Sequence, residues 1–141
     1  MVVQKYWIAR AQQRLGTLVL LLVLAVQAVD NVGAQSASLG GSWSGGGSVT
    51  FASGERETVR CRAQYSRSSQ TSYFVTATCA TASGRATQTA TLRHVGANNY
   101  LGNFHNSEYG VSGTISVVVS GNNQTVRLNS EAGTGRLELR R

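Results

Sequence analysis

Eight short segments between Ser48 and Arg140 alternate apolar and polar residues, and this pattern restricts the chain to an all-β fold. The clearest is the second, from Val59 to Tyr65, where every other residue is apolar. Period-two alternation is typical of a strand with one face buried and the other in solvent. Because short turns join the segments, the sequence predicts an eight-stranded antiparallel up-and-down barrel, or the same strands as an open sandwich.

The turns between the segments predict how the strands pair. We place two-residue turns at Ser83-Gly84, Asn122-Asn123 and Ala132-Gly133, because glycine and asparagine adopt the backbone angles that tight hairpins need. Each turn pairs inward-facing residues with one another, as a buried face requires. Loops centred on Glu55 and Gly96 do the same, whereas the register across the connection from residue 104 to residue 111 stays open.

The two cysteines lie in the second and third segments. A hairpin centred on Gln70 places Cys61 directly opposite Cys79. Directly opposed Cβ atoms in an antiparallel pair can lie within disulfide reach. We therefore predict an inward-facing cross-strand disulfide. The alternative, two free buried thiols, requires a reducing compartment.

The N-terminus has the organisation of a signal peptide. Three basic residues precede an apolar run at 15–29, and small residues follow up to Ala34. We predict a signal peptide at 1–34, a flexible Gly/Ser-rich tail at 35–47 and a β-barrel domain at 48–141. Cleavage after Ala34 implies a periplasmic or secreted protein, which agrees with the predicted disulfide. An uncleaved membrane anchor is the alternative.

The charged residues after Ala34 are ten arginines and five glutamates, without lysine or aspartate. Arginine suits planar contact with carboxylate or phosphate, so outward-facing arginines are candidates for binding an anionic partner. The alternative is that they only solvate the surface and protect strand edges. Aromatic residues are not interleaved with them, so nucleic acid is not an expected partner. The candidates are Arg60, Arg62, Arg85 and Arg93.

Two uncharged residues are further candidates for binding. Trp43 interrupts the glycine-rich approach to the barrel, and its indole either plugs one barrel end or is an exposed recognition group. Gln88 is the one amide that the alternation directs inward, opposite Cys79 and Phe104 in the predicted registers. A buried amide needs partners. Gln88 therefore either bonds tyrosine hydroxyls or supplies the polar contact of a small-molecule pocket.

The sequence contains few residues that could act in catalysis. Beyond Ala34 the only histidines are His94 and His105, and without aspartate no aspartate-oriented histidine triad can form. No His, Cys and carboxylate spacing matches a metal site, and no phosphate-binding loop is present. Glu108, near His105, is interpreted as part of a solvated loop pair. We therefore expect a protein that is not an enzyme and has no metal or cofactor.

The motif Gly41-Ser42-Trp43 resembles the start of the first strand in calycins, the lipocalin-like small barrels. In that group the tryptophan packs under an arginine of the last strand. The resemblance implies a similar barrel here, with Arg136 or Arg140 as the arginine. The chain is short for a lipocalin and lacks that family's second conserved loop motif.

The same Gly-x-Trp, one early disulfide and the closing Leu137–Arg141 segment are similar in outline to the small periplasmic metalloprotease inhibitors. In those proteins the free N-terminal tail enters the protease cleft. The resemblance implies that role for Gln35 to Leu39. The GSWSGGG and RCRAQYS stretches also resemble uncharacterised small exported bacterial proteins, and this resemblance implies no function.

The sequence therefore predicts an exported, non-enzymatic binding protein for an anionic or a small apolar partner. Protease inhibition through the tail and a structural envelope protein held by its leader are the alternatives. The expected partners are an anionic envelope component or a protease, and the protein is expected to be a monomer.

Overall fold

A computed structural model describes residues 38–141, which form a closed barrel of eight antiparallel strands joined in sequence order. The prediction of an eight-stranded up-and-down barrel is confirmed, in its closed form, because β1 pairs with both β2 and β8. No helix among these residues could cross a membrane. The strands are β1 Gly41–Phe51, β2 Arg56–Arg67, β3 Ser72–Thr81, β4 Gly84–Gly96, β5 Asn99–Asn106, β6 Val111–Ser120, β7 Asn123–Ser130 and β8 Gly133–Arg140.

The barrel begins earlier than the sequence predicts. The predicted signal peptide and residues 35–37 of the predicted tail lie outside the described residues, but Gly41 to Gly47 belong to β1. A Cβ on Gly45 would lie 2.1 Å from the Glu138 carbonyl oxygen, and one on Gly47 would lie 1.9 Å from that of Arg136. The glycines therefore let β1 approach β8 closely enough to close the barrel, rather than making a flexible tail.

Three of the predicted turns are displaced by one residue along the chain. The two-residue turns lie at Ala82-Ser83, Gly121-Asn122 and Glu131-Ala132, so Cys79 faces Ala86 rather than Gln88. Such a displacement changes the register by two residues, which keeps every side chain on its predicted face and is invisible to the alternation pattern. Gly84 and Gly133 are the first strand residues after their turns, with φ of 149° and 148°.

The loops predicted around Glu55 and Gly96 also move, to centres near Ser53 and Ala97, the latter beside a β-bulge. The open connection between β5 and β6 pairs Asn106 with Val111. Only the hairpin centred on Gln70 keeps its predicted register, with Cys61 opposite Cys79.

The inward faces of the strands build one continuous core. Cys61 and Cys79 form the predicted disulfide, with Cα atoms 4.1 Å apart, and both are buried. The largest buried side chains gather at the end of the barrel where β1 starts and β8 finishes, which we call the closed end: Leu39, Trp43, Leu92, Val117, Val119 and Gln124. Small inward residues predominate towards the other end, so the two ends differ in how completely they are filled.

Candidate functional site

The end of the barrel opposite Trp43 is open and contains a cavity of about 580 Å³, which we call the cup. Its mouth is framed by the connections that follow β1, β3, β5 and β7. Ligand pockets in proteins are concave, mostly apolar and of this size. The apolar part of the cup wall includes Val49, Val59, Ala86, Phe104, Val111 and Leu128.

The cup exists because several inward positions carry little or no side chain. Ala86 and Gly135 occupy wall positions where most strands of a filled barrel carry large apolar residues. A Cβ on Gly135 would lie 3.4 Å from the Leu128 and Val49 side chains, at ordinary contact distance. A larger residue at position 135 would therefore extend into the cup rather than into the backbone.

The floor of the cup is formed by Cys79, Gln88, Phe104 and Leu128, which also border a small internal cavity of about 30 Å³. Because the disulfide fixes Cys79, one part of the floor is held in place. A cavity of this size is about large enough for one water molecule. These four side chains therefore separate the cup, the space available to an apolar ligand, from the small internal cavity.

Gln88 points inward as predicted, and neither Cys79 nor Phe104 is directly opposite it, although Cys79 still lies within hydrogen-bond distance. Gln88 pairs with Ala77, and Phe104 lies opposite Ala90. Its Nε2 donates to Cys79 Sγ at 3.3 Å and not to a tyrosine.

The amide that bonds a tyrosine is Gln124, which was not identified from the sequence although the alternation of β7 places it on the same face as Val126 and Leu128. The Tyr65 hydroxyl donates to Gln124 Oε1 at 3.0 Å. Burial raises the pKa of Tyr65 well above its usual range, although the hydrogen bond to Gln124 opposes the shift. This pair belongs to the closed end and not to the cup.

Glu57 was also missed, although the alternation of β2 places it on the same face as Val59. Its carboxylate accepts a hydrogen bond from the hydroxyl of Ser83, in the turn between β3 and β4. Hydrogen bonds from the Ser83 and then the Thr81 hydroxyl lower the pKa of Glu57, so it is ionised at neutral pH. Ser83 and Thr81 line the cup, so this negative charge stands at its mouth.

Most of the acidic residues lie at the open end. Of the five glutamates within residues 38–141, four lie at the mouth or in the connections that frame it, whereas Glu138 lies in β8 and pairs with Arg136. The four are Glu55, Glu57, Glu108 and Glu131. Arg56, at the start of β2, and Arg85, which borders the cup, lie at the same end, so these carboxylates are accompanied by two guanidinium groups.

The predicted arginines lie on the outer face but do not form one group. Arg60 and Arg85 flank Ala80 in one row across β2, β3 and β4, and Arg85 also borders the mouth of the cup. Arg62 lies in the next row, opposite Thr78, and Arg93 pairs with Ser72 at the other end of the barrel. No carboxylate among residues 38–141 forms an ion pair with any of the four.

Trp43 closes the other end of the barrel and is only 1% exposed. Its Nε1 donates to the Leu39 carbonyl oxygen at 2.9 Å, and its ring meets the Tyr65 ring edge to face. The arginine over the indole is Arg141, with its guanidinium carbon 4.6 Å from the ring centroid, and not Arg136 or Arg140. An exposed recognition role for Trp43 does not agree with this burial.

The residues considered for catalysis do not come together. His105 Nδ1 shares a hydrogen bond with Ser112 Oγ at 2.7 Å on the outer face, whereas Glu108 accepts from the Thr87 amide. His94 bonds the Ala97 carbonyl oxygen. Within residues 38–141 no three His, Cys or carboxylate side chains are grouped as metal ligands.

The sequence matches no protein-family model and no curated protein. Solved structures do match. The redesigned β-barrel mFAP1 bound to DFHBI has a TM-score of 0.62 and 14% identity, covering 73% of this chain and 94% of that chain. The redesigned barrel mFAP0 bound to DFHBI has a TM-score of 0.61 and 15% identity, covering 73% and 98%. A de novo designed fluorescence-activating β-barrel gives 0.57 and 16%, covering 72% and 92%. At these identities the similarity establishes the fold alone, a small β-barrel.

Proposed function

We propose that the protein is a non-catalytic binding protein that takes up a small, largely apolar ligand in the cup. The observation that carries this proposal is the open, apolar cavity of about 580 Å³ at one end of a barrel whose other end is sealed by Trp43. Burying apolar surface releases about 25 cal/mol per Å², so a ligand that fills such a cavity gains substantial affinity. Similar barrels bound to DFHBI support the proposal by showing that the architecture can hold a small molecule.

We also propose that the protein is exported and works as a monomer. The buried disulfide supports export, since such bonds persist in the periplasm and outside the cell. Tail-mediated protease inhibition has less support, because Leu39 is fully buried and its carbonyl oxygen bonds Trp43. An anionic partner bound by Arg60 and Arg62 remains a second candidate, because neither side chain is paired with a carboxylate of residues 38–141.

Titration with Nile red, an uncharged dye that brightens in apolar surroundings, tests the cup. We expect saturable binding to the wild type and its loss in Gly135→Leu, which fills the cup. Asn129→Leu, on the exposed outer face of β7, is the matched control and should bind as the wild type does. Equal binding by Gly135→Leu and Asn129→Leu would place the dye elsewhere and contradict the proposal.

Salt dependence distinguishes the cup from the second candidate site, an anion-binding surface formed by Arg60 and Arg62. Contacts between exposed arginines and phosphate or carboxylate weaken as salt is raised, whereas burial of an apolar ligand does not. We expect Nile red binding to be unchanged in Arg60→Ala/Arg62→Ala and between low and high salt. Loss of dye binding in that double variant would instead favour the outer strands as the site.

A further inference from the structure

Resting on the proposed function, we infer that the cup selects an uncharged apolar ligand carrying a hydroxyl group, with Gln88 as the residue that recognises it, and that it discriminates against carboxylates. Three features of the cup support this selectivity: the environment of the Gln88 amide, the absence of an inward-facing cation among the described lining residues, and the ionised Glu57 at the mouth.

The Gln88 amide is held only weakly. Its single hydrogen bond to residues 38–141 is the one from Nε2 to the disulfide sulfur of Cys79, at 3.3 Å. Sulfur is a weak acceptor, and only the NH₂ end of the amide can donate to it, so this contact also fixes which end is which. None of the described residues donates a hydrogen bond to Oε1, and Oε1 is not sealed from solvent.

The surroundings of Gln88 leave it free to meet a ligand. Its neighbours on the inward face of β4 are Ala86 and Ala90, and the residue opposite it is Ala77. It stands at the floor of an otherwise apolar part of the cup. An apolar ligand without a donor would bury Oε1 unpaired, which is costly, whereas a hydroxyl would satisfy it.

A ligand carboxylate would find no positive charge inside the cup. Arg85 is the one cation among the described residues that border it, and the pairing of Arg85 with Ala80 places it on the outer face. A carboxylate would also have to pass the inward-facing, ionised Glu57 at the mouth. Burial of an ion without a partner is strongly unfavourable, so the cup discriminates by charge as well as by hydrogen bonding.

Four compounds with the same ten-carbon chain test this on the wild-type protein: 1-decanol, decyl methyl ether, decanoate and decylammonium, each displacing bound Nile red at pH 7. We expect decanol to displace the dye at a concentration about three- to tenfold lower than the ether, the effect of one hydrogen bond. Decanoate is expected to be the weakest competitor. Equal potency of decanol and ether, or stronger displacement by decanoate or decylammonium, would overturn the inference.

Gln88→Leu tests whether Gln88 causes the preference for decanol over the ether. The matched control is Gln64→Leu, because Gln64 is a glutamine on the outer face of β2. We expect decanol to lose its advantage over the ether in Gln88→Leu and to keep it in Gln64→Leu. Retention of the advantage in a folded Gln88→Leu protein would refute the role of Gln88. If that variant does not fold, the wild-type series still decides the ligand class.

The experiments distinguish failure of the proposed ligand selectivity from failure of the proposed function. If Nile red binds the wild type and Gly135→Leu abolishes binding, the cup is a binding site whatever the order of the four compounds. If Nile red does not bind in the cup, the proposed function itself is wrong.

Discussion

Arg141, the last residue, lies over the indole of Trp43, 4.6 Å from the ring centroid, and also donates a hydrogen bond to the Gly40 carbonyl oxygen at 3.1 Å. The two ends of the barrel sequence are thereby joined across the seam between β1 and β8. Cation–π contacts of this kind contribute about 0.5–1 kcal/mol at exposed sites. The contact therefore contributes to the stability of the closed end, but burial of the indole contributes more.

We expect Trp43→Ala to lower the free energy of unfolding by about 3–5 kcal/mol, because it removes the largest buried side chain of the closed end. Arg141→Ala should cost no more than about 1 kcal/mol. Urea denaturation measures both. Phe74→Ala is the control, since Phe74 is an aromatic residue that is 45% exposed. A cost for Trp43→Ala as small as that for Phe74→Ala would contradict the role of the indole.

Trp43 fluorescence provides a second check of the same burial. Because the chain has two tryptophans, Trp7 and Trp43, we would record the spectrum in a Trp7→Phe background. Emission at short wavelength, typical of an indole away from water, is expected, with a shift to long wavelength on unfolding. An emission maximum already at the hydrated position in the native protein is the contrary outcome.

Loss of the disulfide should destabilise the barrel strongly. Cys61 and Cys79 are 18 residues apart, and by the chain-entropy model a loop of that length contributes about 3 kcal/mol. Cys61→Ser/Cys79→Ser should therefore unfold at clearly lower urea concentration. Peptide mapping without reductant should recover the two cysteines in one linked fragment. Two free thiols in protein from the exported fraction would show that the bond is not formed.

Two inward glycines should respond oppositely to alanine. A Cβ on Gly113 would lie 2.1 Å from the Asn129 carbonyl oxygen and 2.8 Å from the Phe104 ring, so β6 and β7 would have to separate. We expect Gly113→Ala to cost about 1–3 kcal/mol. Gly135→Ala has room at 3.4 Å and should be neutral or stabilising by up to about 1 kcal/mol. Thermal denaturation of the two variants side by side tests the contrast.

The buried tyrosine of the closed end predicts a loss of stability in alkali. Burial raises the pKa of Tyr65 in the folded protein, so above about pH 10 the unfolded chain releases this proton while the folded chain retains it. The contribution of Tyr65 is therefore complete below pH 10 and declines above it, by up to about 1.4 kcal/mol per pH unit.

Tyr65→Phe tests this assignment. The variant is less stable at pH 7, since Gln124 loses its hydrogen-bond partner, but its stability should fall less steeply between pH 10 and 12. Tyr100, whose pKa is also raised by burial, is present in both proteins and cancels in the comparison. Parallel pH curves for the wild type and Tyr65→Phe would assign the alkaline loss to other groups.

Much of the fold could be predicted because alternation along each strand reports directly which face is buried. The Cys61–Cys79 pairing was also predictable, since its hairpin register followed from the loop length around Gln70. The sequence was misleading at Gly45 to Gly47, where glycine was interpreted as flexibility. In the barrel these glycines allow close approach of β8, which lies about 90 residues further along the chain.

The candidate site was predicted only in part. Gln88 was identified as an inward amide beside Cys79, and Cys79 is its hydrogen-bond partner, although the register of β3 and β4 differs by two residues from the predicted one. Glu57 could have been found from the alternation of β2, whereas its bond to Ser83 could not, because that bond joins a strand start to a distant turn. The same holds for the buried Gln124, which the alternation of β7 places inward but whose bond to Tyr65 joins two distant strands.

The number of strands, the face that each residue occupies and the cysteine pair follow from the sequence, because they depend on local periodicity and short-range turns. The folded barrel alone shows that β1 closes against β8, that Arg141 covers Trp43, and that one end is sealed while the other opens into the cup. These features depend on how side-chain volumes from all eight strands fill a shared interior, and on registers that differ by two residues without changing any face.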